Sequence, residues 1–159
     1  MTAAVADEVS RLAWELRPIA LDDIGLEPAI QRLADEWAGR SGLQFDLLVD
    51  MKGRSLPLAV ETTLYRVLQE AISNIVKHAA ASKVGVVVKT TSDEVVMVIE
   101  DNGKGFEPET VNRGASPRLG LLGMRERVAL IRGSLEIETA PGTGTTLIVR
   151  APVNAAAAP

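Results

Sequence analysis

The feature that most constrains the fold is the stretch from Pro57 to Ala80, in which apolar residues recur at helical spacing. Its apolar face comprises Val60, Leu64, Val67, Leu68, Ala71, Ile72, Ile75, Val76 and Ala79. Pro57 suits the first turn of a helix, because proline lacks an amide hydrogen that this turn would leave unpaired. A helix with so continuous an apolar face must bury it against another layer of structure.

Runs rich in β-branched residues are candidate strands for that other layer. Two hairpins are predicted, Ser82–Thr90 with Val95–Glu100 and Ser134–Thr139 with Thr145–Ala151, and a weaker alternation adds a strand at Leu43–Val49. Further helices are predicted at residues 3–16, Glu27–Arg40 and Leu121–Arg132, with Leu21–Gly25 as a connector. The predicted fold class is therefore α/β (α+β), a two-layer sandwich with a mixed, mainly antiparallel sheet and helices on one face.

Composition excludes several classes of protein. The 159 residues fit one domain, and 47% of them are hydrophobic, which is enough for a substantial core. The chain has no cysteine and one histidine, His78, which excludes disulfide scaffolds and zinc sites built on thiolates or several histidines. The net charge of −4 argues against a nucleic-acid partner. Apolar runs such as Val95–Ile99 are far shorter than the ~20 residues that span a bilayer, so we expect a cytoplasmic domain without membrane contact.

The long helix also carries a polar stripe. At about 100° per residue, Glu70, Asn74 and Lys77 fall within an arc of roughly 60° opposite the apolar face, and His78 flanks them. A carboxylate, an amide oxygen and an ammonium group together suit a hard cation that is bound to phosphates. A solvated helix face is the commoner explanation of such a stripe, so the stripe alone leaves both interpretations open.

Two glycine-containing segments follow the predicted strand Val95–Glu100. In Asp101-Asn-Gly-Lys-Gly105, a buried carboxylate would accept a hydrogen bond from an exocyclic amine and disfavour a base with a carbonyl there, which selects adenine over guanine. The segment from Gly120 to Gly123 begins the next helix, whose free amide groups can bind an anion. Residues 106–119 form a loop long enough to suggest a function. Each segment taken alone is also typical of an ordinary turn or helix start.

In combination and in this order, the segments resemble the ATP-binding catalytic domain of histidine kinases, in the superfamily that includes DNA gyrase, the MutL repair ATPase and a heat-shock chaperone. The resemblance covers nearly the whole chain. Glu70–Ala79 resembles the family's N box, Asp101–Gly105 its first glycine box, Gly120–Arg127 its second, and Pro141–Thr145 its final Gly-Thr motif. Finer features resemble the nitrate-sensor and DesK-like subgroup, namely Leu16–Pro18, Leu21–Leu26 and the second glycine box.

The resemblance implies the Bergerat fold, ATP and Mg²⁺ as cofactors, and two catalytic residues. Asn74 would chelate Mg²⁺ between the ATP phosphates, and Glu70 would act as a base or orient a water molecule of the ion. Lys77 and His78 would lie near the phosphates. The second glycine box would pass its amide groups under the phosphates through Gly120, Leu121 and Gly123.

The resemblance also implies how the base is bound. Asp101 would bind the adenine amine, Gly103 and Gly105 would shape that wall of the pocket, and Thr145 would complete it. Residues 106–119 would form a lid that closes over the nucleotide. The phenylalanine-containing box that is common in other histidine kinases is not evident in this lid.

One departure from the family pattern concerns the phosphate acceptor. In these kinases it is a histidine on a long dimerisation helix, and nothing here matches, because His78 lies in the N box. We expect residues 1–20 to be the end of the second dimerisation helix with its connector, residues 21–152 the ATP-binding domain, and residues 153–159 a disordered tail. The chain alone would be a monomer that binds Mg–ATP without phosphorylating itself. Its partners would be the histidine-bearing dimerisation domain of the same kinase and, indirectly, a response regulator.

Two alternatives remain. A serine kinase of the anti-sigma-factor type shares the fold and phosphorylates a partner's serine. A non-catalytic interaction module would keep the fold without turnover. The segment Leu16–Pro18 and the second glycine box favour the histidine-kinase interpretation, and the intact Asn74 and Asp101 argue against a non-catalytic module.

Overall fold

The computed structural model describes residues 18–107 and 119–153. The helices are α1 (Ile19–Ile24), α2 (Leu26–Ser41), α3 (Leu58–Asn74) and α4 (Leu119–Leu130), and α3 continues into a π-helical turn at Ile75–Ala79. The strands are β1 (Gln44–Asp50), β2 (Lys83–Thr90), β3 (Glu94–Asp101), β4 (Ser134–Thr139) and β5 (Thr145–Pro152). Among these residues, no helix combines the length and apolar character that crossing a bilayer requires.

The strands form one sheet in the order β1-β2-β3-β5-β4. β1 runs parallel to β2, whereas the other three pairings are antiparallel. The parallel pair needs a long crossover, and α3 provides it between β1 and β2. The α/β sandwich with a mixed, mainly antiparallel sheet is therefore confirmed.

One face of the sheet forms the core with the helices. Strand register places Val86 opposite Ile99, and Ile99 opposite Leu147, so these buried side chains form a row across the sheet. Alternate residues such as Val87 and Val98 lie on the other face and are only half-buried. The apolar face of α3 covers the buried face with Leu64, Val67, Leu68, Ala71 and Ile72. The periodicity of the sequence therefore correctly predicts which side of this helix is buried.

The end of the long helix differs from its predicted course. Val76 was expected on the apolar face, but its side chain is 40% exposed, whereas its neighbour Ile75 is 7% exposed. The cause is the π-helical turn, because a wider turn changes the direction in which each later side chain points. Ala80 then ends the turn in the left-handed region, with φ 52°.

Other predicted boundaries were wrong or fall outside the described residues. Leu21–Gly25 was predicted as a connector, but residues up to Ile24 form α1, because burying Leu21 in the core outweighs the weak local signal. The predicted helix to Arg132 ends at Leu130, and the Gly133 amide donates to the Val128 carbonyl at 3.0 Å. The helix predicted at residues 3–16, most of the predicted lid (residues 108–118) and the tail at 154–159 lie outside the described residues.

Candidate functional site

A pocket lies where the C-terminal end of α3 meets the ends of β3 and β5. Its helical wall consists of Ala71, Asn74, Ile75, His78 and Ala79. Its sheet wall consists of Ile99, Asp101, Thr145 and Leu147, and Gly105, Phe106 and Leu121 complete the lining. The pocket therefore combines an apolar body with a few polar groups, which is typical of small-molecule sites.

Asp101 is the buried carboxylate of this pocket. It is the last residue of β3, and its side chain is only 5% exposed. Its Oδ1 accepts a hydrogen bond from the Gly103 amide at 2.7 Å, and the backbone amide of Thr145 also donates to the carboxylate. Burial raises the pKa of Asp101 above its ordinary value, and these two hydrogen bonds only partly oppose that effect. The pocket thus has a fixed acceptor of high proton affinity.

Two turns pack tightly against each other at the sheet wall of the pocket, namely the turn that follows β3 and the turn between β4 and β5. Gly105 has a φ of 63°, and a Cβ on it would collide with the Ala140 carbonyl oxygen. Gly144 has a φ of 74°, and a Cβ there would collide with the carbonyl oxygen of Asp101. The Gly142 amide donates to the Lys104 carbonyl at 2.6 Å. Larger residues at these two close approaches would push the β4–β5 turn away from Asp101.

The Asn102 side chain hydrogen-bonds to the residues at the start of β2, beside the pocket. Its Oδ1 accepts from the amides of Ser82 and Lys83 at 2.9 and 3.0 Å. Its Nδ2 donates to the Ser82 hydroxyl at 2.9 Å. The asparagine of the first glycine box therefore fixes the start of β2 relative to the end of β3.

The opposite end of the pocket is formed by helix ends. The Nδ2 atom of Asn74 is buried and has no hydrogen-bond partner among the described residues. A Cβ on Gly120 would collide with Oε1 of Glu70 and would lie 3.5 Å from Nδ2 of Asn74. Glycine at position 120 therefore lets the start of α4 approach Glu70 and Asn74 closely.

The π-helical turn sets the direction of the next two polar side chains. His78 lines the pocket, whereas Lys77 is exposed and is not among the lining residues. The carbonyl oxygen of Ala79 accepts from the Lys104 amide at 2.8 Å, which ties the end of this turn to the first glycine box. Of the predicted polar stripe, Asn74 lines the pocket together with the flanking His78, whereas Glu70 and Lys77 do not.

The residues at this end fit a magnesium ion that also contacts phosphates. Within residues 18–107 and 119–153, no group of three or more His, Cys, Asp or Glu side chains could hold a metal ion. Magnesium usually takes only one or two protein oxygens and completes its shell with phosphates and water. The buried nitrogen of the Asn74 amide has no partner among the described residues. A 180° rotation of the amide group exchanges its nitrogen and oxygen, so the oxygen can take that position. Asn74 therefore suits such an ion as a single oxygen ligand.

Comparison with known proteins identifies the family. Residues 59–155 match the family described as histidine kinase-, DNA gyrase B- and HSP90-like ATPase. The chain belongs to this ATPase family. It is 40% identical over 146 residues to the signal transduction histidine-protein kinase/phosphatase DegS of Brevibacillus brevis, which covers 92% of the chain but only 37% of that protein.

Solved structures share the fold of this ATPase domain. The histidine kinase domain of the blue-light activated histidine kinase of Erythrobacter litoralis EL346 has a TM-score of 0.65 and 19% identity. The match covers 80% of this chain and 61% of that chain. Full-length ShkA in complex with AMPPNP has a TM-score of 0.62 and 18% identity, covering 79% of this chain and 30% of that one. The predicted resemblance to histidine-kinase ATP-binding domains is confirmed, while the finer subgroup stays a prediction.

The structure of the ATPase domain brings together about half of the predicted site residues. Those that line the pocket are Asn74, His78, Asp101, Gly105, Leu121 and Thr145. Those that do not are Glu70, Lys77, Gly103, Gly120 and Gly123, although Gly103 donates to Asp101 and Gly120 contacts Glu70. The roles predicted for all of them stay predictions.

Sequence reasoning missed the apolar walls of the pocket. Ile99 lies two residues before Asp101, and Leu147 lies two residues after Thr145, so each shares a sheet face with a predicted polar residue. Strand alternation could therefore have found both of them. Phe106 is the first residue of the segment predicted to form the lid, and no pattern in the sequence marks it individually as a pocket residue.

Proposed function

We propose that this ATPase domain binds Mg–ATP and is the catalytic domain of a histidine kinase. In this role it donates the γ-phosphate to a histidine on a dimerisation helix of the same kinase. The observation that carries the proposal is that one apolar pocket holds both a buried carboxylate, Asp101, and the Asn74 side chain, whose buried amide nitrogen has no partner in the described part of the chain. The 40% identity to a protein named as a histidine kinase supports this reaction over the other activities in the family.

The sheet end of the pocket binds the adenine. Asp101 accepts a hydrogen bond from the exocyclic amine, and Gly103 orients its carboxylate by donating to Oδ1. Ile99, Leu147 and Phe106 supply apolar surface against the ring. Gly105 keeps the β4–β5 turn close enough for Thr145 to complete the wall.

The helical end binds the phosphates. Asn74 would hold the magnesium ion through its amide oxygen, and Glu70 would serve as a base or orient a water molecule. Bound there, the ion would neutralise charge on the phosphates during transfer. His78 contacts the nucleotide from the pocket wall, and the exposed Lys77 supplies positive charge nearby. The amide groups of Gly120 and Leu121, in the unpaired first turn of α4, face the phosphates, whereas the Gly123 amide lies one turn into the helix and is paired there.

The acceptor histidine comes from outside this domain. His78 is the one histidine of the chain, and it lines the nucleotide pocket, on the donor side of the reaction. Incubated alone with Mg–ATP, the chain is expected to form no phosphohistidine. An isolated histidine-bearing dimerisation domain from the same kinase should become labelled in trans, and a response regulator would receive the phosphate next. The domain works in the cytoplasm.

Titration of ATP with Mg²⁺ into the wild type and into Asp101→Asn tests the base site. Because Asp101 is buried and its partner on the base would lose an acceptor, the variant should lose about 1–3 kcal/mol of binding free energy. Glu100→Gln is the matched control, since it removes a carboxylate from the preceding residue, whose side chain is exposed. Absence of ATP binding to the wild type, or equal binding to Asp101→Asn, would contradict the proposal.

Labelling with γ-labelled ATP separates the kinase classes. Acid-labile label on the dimerisation domain supports histidine transfer. Acid-stable label on the serine of an anti-anti-sigma protein, with none on the dimerisation domain, would replace histidine transfer by serine transfer. ATP binding without transfer to either protein would indicate a non-catalytic module.

A further inference from the structure

Thr139 does not line the pocket itself, but its hydroxyl contacts two segments that do, one at Phe106 and the other at Gly144–Thr145. It is the last residue of β4 and pairs with Thr145, the first residue of β5. Its Oγ1 lies 3.2 Å from the backbone nitrogen of Phe106, 3.1 Å from the carbonyl oxygen of Gly144 and 2.9 Å from Oγ1 of Thr145. Thr145 and Phe106 line the pocket, whereas Thr139 does not.

The three contacts of Thr139 use its full hydrogen-bonding capacity. A hydroxyl group has one proton to donate and two lone pairs that accept. The Phe106 amide can only donate, so it occupies one lone pair. The Gly144 carbonyl can only accept, so it calls for the Thr139 proton. The remaining lone pair then receives the proton of the Thr145 hydroxyl.

The alternative assignment would give the Thr139 proton to Thr145 and leave the Gly144 carbonyl to Thr143. That carbonyl belongs to a buried residue, and an unpaired buried acceptor is costly. The Thr143 hydroxyl lies 3.5 Å from the Gly144 oxygen but only 2.9 Å from the Ala140 oxygen. Because its own proton is better placed toward Ala140, Thr143 does not replace Thr139 as the donor.

We propose that Thr139 is a positioning residue that fixes the Thr145 hydroxyl as a hydrogen-bond acceptor toward the nucleotide base. The inference rests on the proposed function of the pocket. With its proton held by Thr139, Thr145 presents only lone pairs to the pocket, beside the Asp101 carboxylate to which its backbone amide donates. Two neighbouring acceptors select a base with an amine at this position and reject one with a carbonyl.

Comparison of ATP with inosine triphosphate isolates this effect. In hypoxanthine a carbonyl replaces the amine of adenine and N1 carries a proton, while the ribose and the triphosphate are the same. The N1 difference is common to every variant compared, so a change in the ratio between variants reports on the Thr145 hydroxyl. In the wild type, the carbonyl faces acceptors on both sides. In Thr139→Val, the Thr145 hydroxyl is free to turn its proton toward the pocket and donate to the carbonyl. The ratio of ATP to inosine triphosphate affinity should therefore fall about fivefold to tenfold.

The experiment measures both affinities by calorimetric titration with Mg²⁺ in excess. Thr139→Ser keeps the hydroxyl and should retain the wild-type ratio. Thr146→Val is the matched control, because it removes a hydroxyl from the adjacent residue on the opposite face of β5. Adding Thr139→Val to a Thr145→Val background should leave the ratio unchanged, since the hydroxyl that Thr139 orients is already gone.

A merely structural role predicts a different result. If Thr139→Val weakens both nucleotides by the same factor, or if Thr139→Ser lowers the ratio as much as valine does, the proposal is overturned. If Thr139→Val does not fold, Thr139→Ala provides the same comparison with a smaller side chain. Failure of the wild type to bind ATP would instead refute the proposed function itself.

Discussion

The two ends of the pocket are built by different means. At the sheet end, the polar groups around Asp101 are already hydrogen-bonded within the protein, through Gly103, Thr145 and the β4–β5 turn. At the helical end, Asn74 has a buried amide nitrogen without a partner among the described residues, and the carboxylate of Glu70 lies close to Gly120. The comparison indicates that the sheet end is complete in the folded chain, as the proposed recognition of a base requires, whereas the helical end would complete its contacts with the proposed phosphates and ion.

The first prediction concerns a substitution that disrupts the sheet end of the pocket. Gly105→Ala places a Cβ against the Ala140 carbonyl at a φ of 63°, so backbone strain and overpacking act together. The free energy of unfolding should fall by about 3 kcal/mol or more in urea denaturation.

Gly39→Ala is the control for this substitution. Nothing lies within 4 Å of a Cβ at Gly39, which is in the last turn of α2 and has an ordinary φ. That variant should gain about 0.5–1 kcal/mol, because alanine is the better helix former. Equal stability of Gly105→Ala and the wild type would mean that the two turns are not rigidly interlocked.

The second prediction concerns the helical end. In Gly120→Ala the new Cβ displaces the carboxylate of Glu70, which is the far end of a flexible side chain. Stability should change by no more than about 1 kcal/mol. The increase in ATP affinity on adding Mg²⁺ should fall about fivefold, as expected for the loss of one polar interaction. Glu70→Gln should give a similar loss, and an unchanged Mg²⁺ effect in both variants would argue against a role for Glu70.

The third prediction uses the pKa of Asp101, which burial raises above the ordinary value of 3.8. A raised pKa means that folding favours the protonated carboxyl. The stability that this group contributes is therefore fully present below the ordinary pKa and is lost as the pH rises through the raised pKa. The free energy of unfolding of the nucleotide-free wild type, relative to Asp101→Asn, should decline over that range. A difference that is independent of pH would contradict the desolvation of this carboxylate.

The smallest predicted effect tests the π-helical turn. Val76 is 40% exposed because of that turn, so Val76→Ser should change stability by less than about 0.5 kcal/mol. Its buried neighbour provides the contrast, since Ile75→Ala should cost about 2–4 kcal/mol. A regular α-helix would bury Val76, and a large loss for Val76→Ser would show that the helix continues without the wider turn.

The predictability of the two ends from sequence differs for a physical reason. Asp101 and Thr145 lie at strand ends and pair with each other across β3 and β5, so strand alternation predicts that their side chains share a face of the sheet. The buried face of α3 was predicted for the same reason, since its period is regular as far as Ile75. The absence of Lys77 from the pocket lining could not be predicted, because nothing in the sequence signals a π-helical turn after Asn74.

Thr139 shows a second limit of sequence reasoning. Its position is visible as the last β-branched residue of a predicted strand, but its contacts with Phe106 and Gly144 join segments that are distant in sequence or separated by the turn. Such contacts depend on how the two turns pack. The α1 helix was missed for a related reason, because burial of Leu21 against the core decides its conformation.

One set of titrations on two variants, Asp101→Asn and Asn74→Ser, tests whether the two ends of the pocket have separate roles. Each is titrated with ATP and with inosine triphosphate, with and without Mg²⁺. Asp101→Asn should lose the preference for ATP and keep the Mg²⁺ enhancement, whereas Asn74→Ser should keep the preference and lose the enhancement. If both variants lose both properties to the same extent, the two ends of the pocket do not perform separate tasks. That result would contradict the proposal that the sheet end selects the base and the helical end binds the ion.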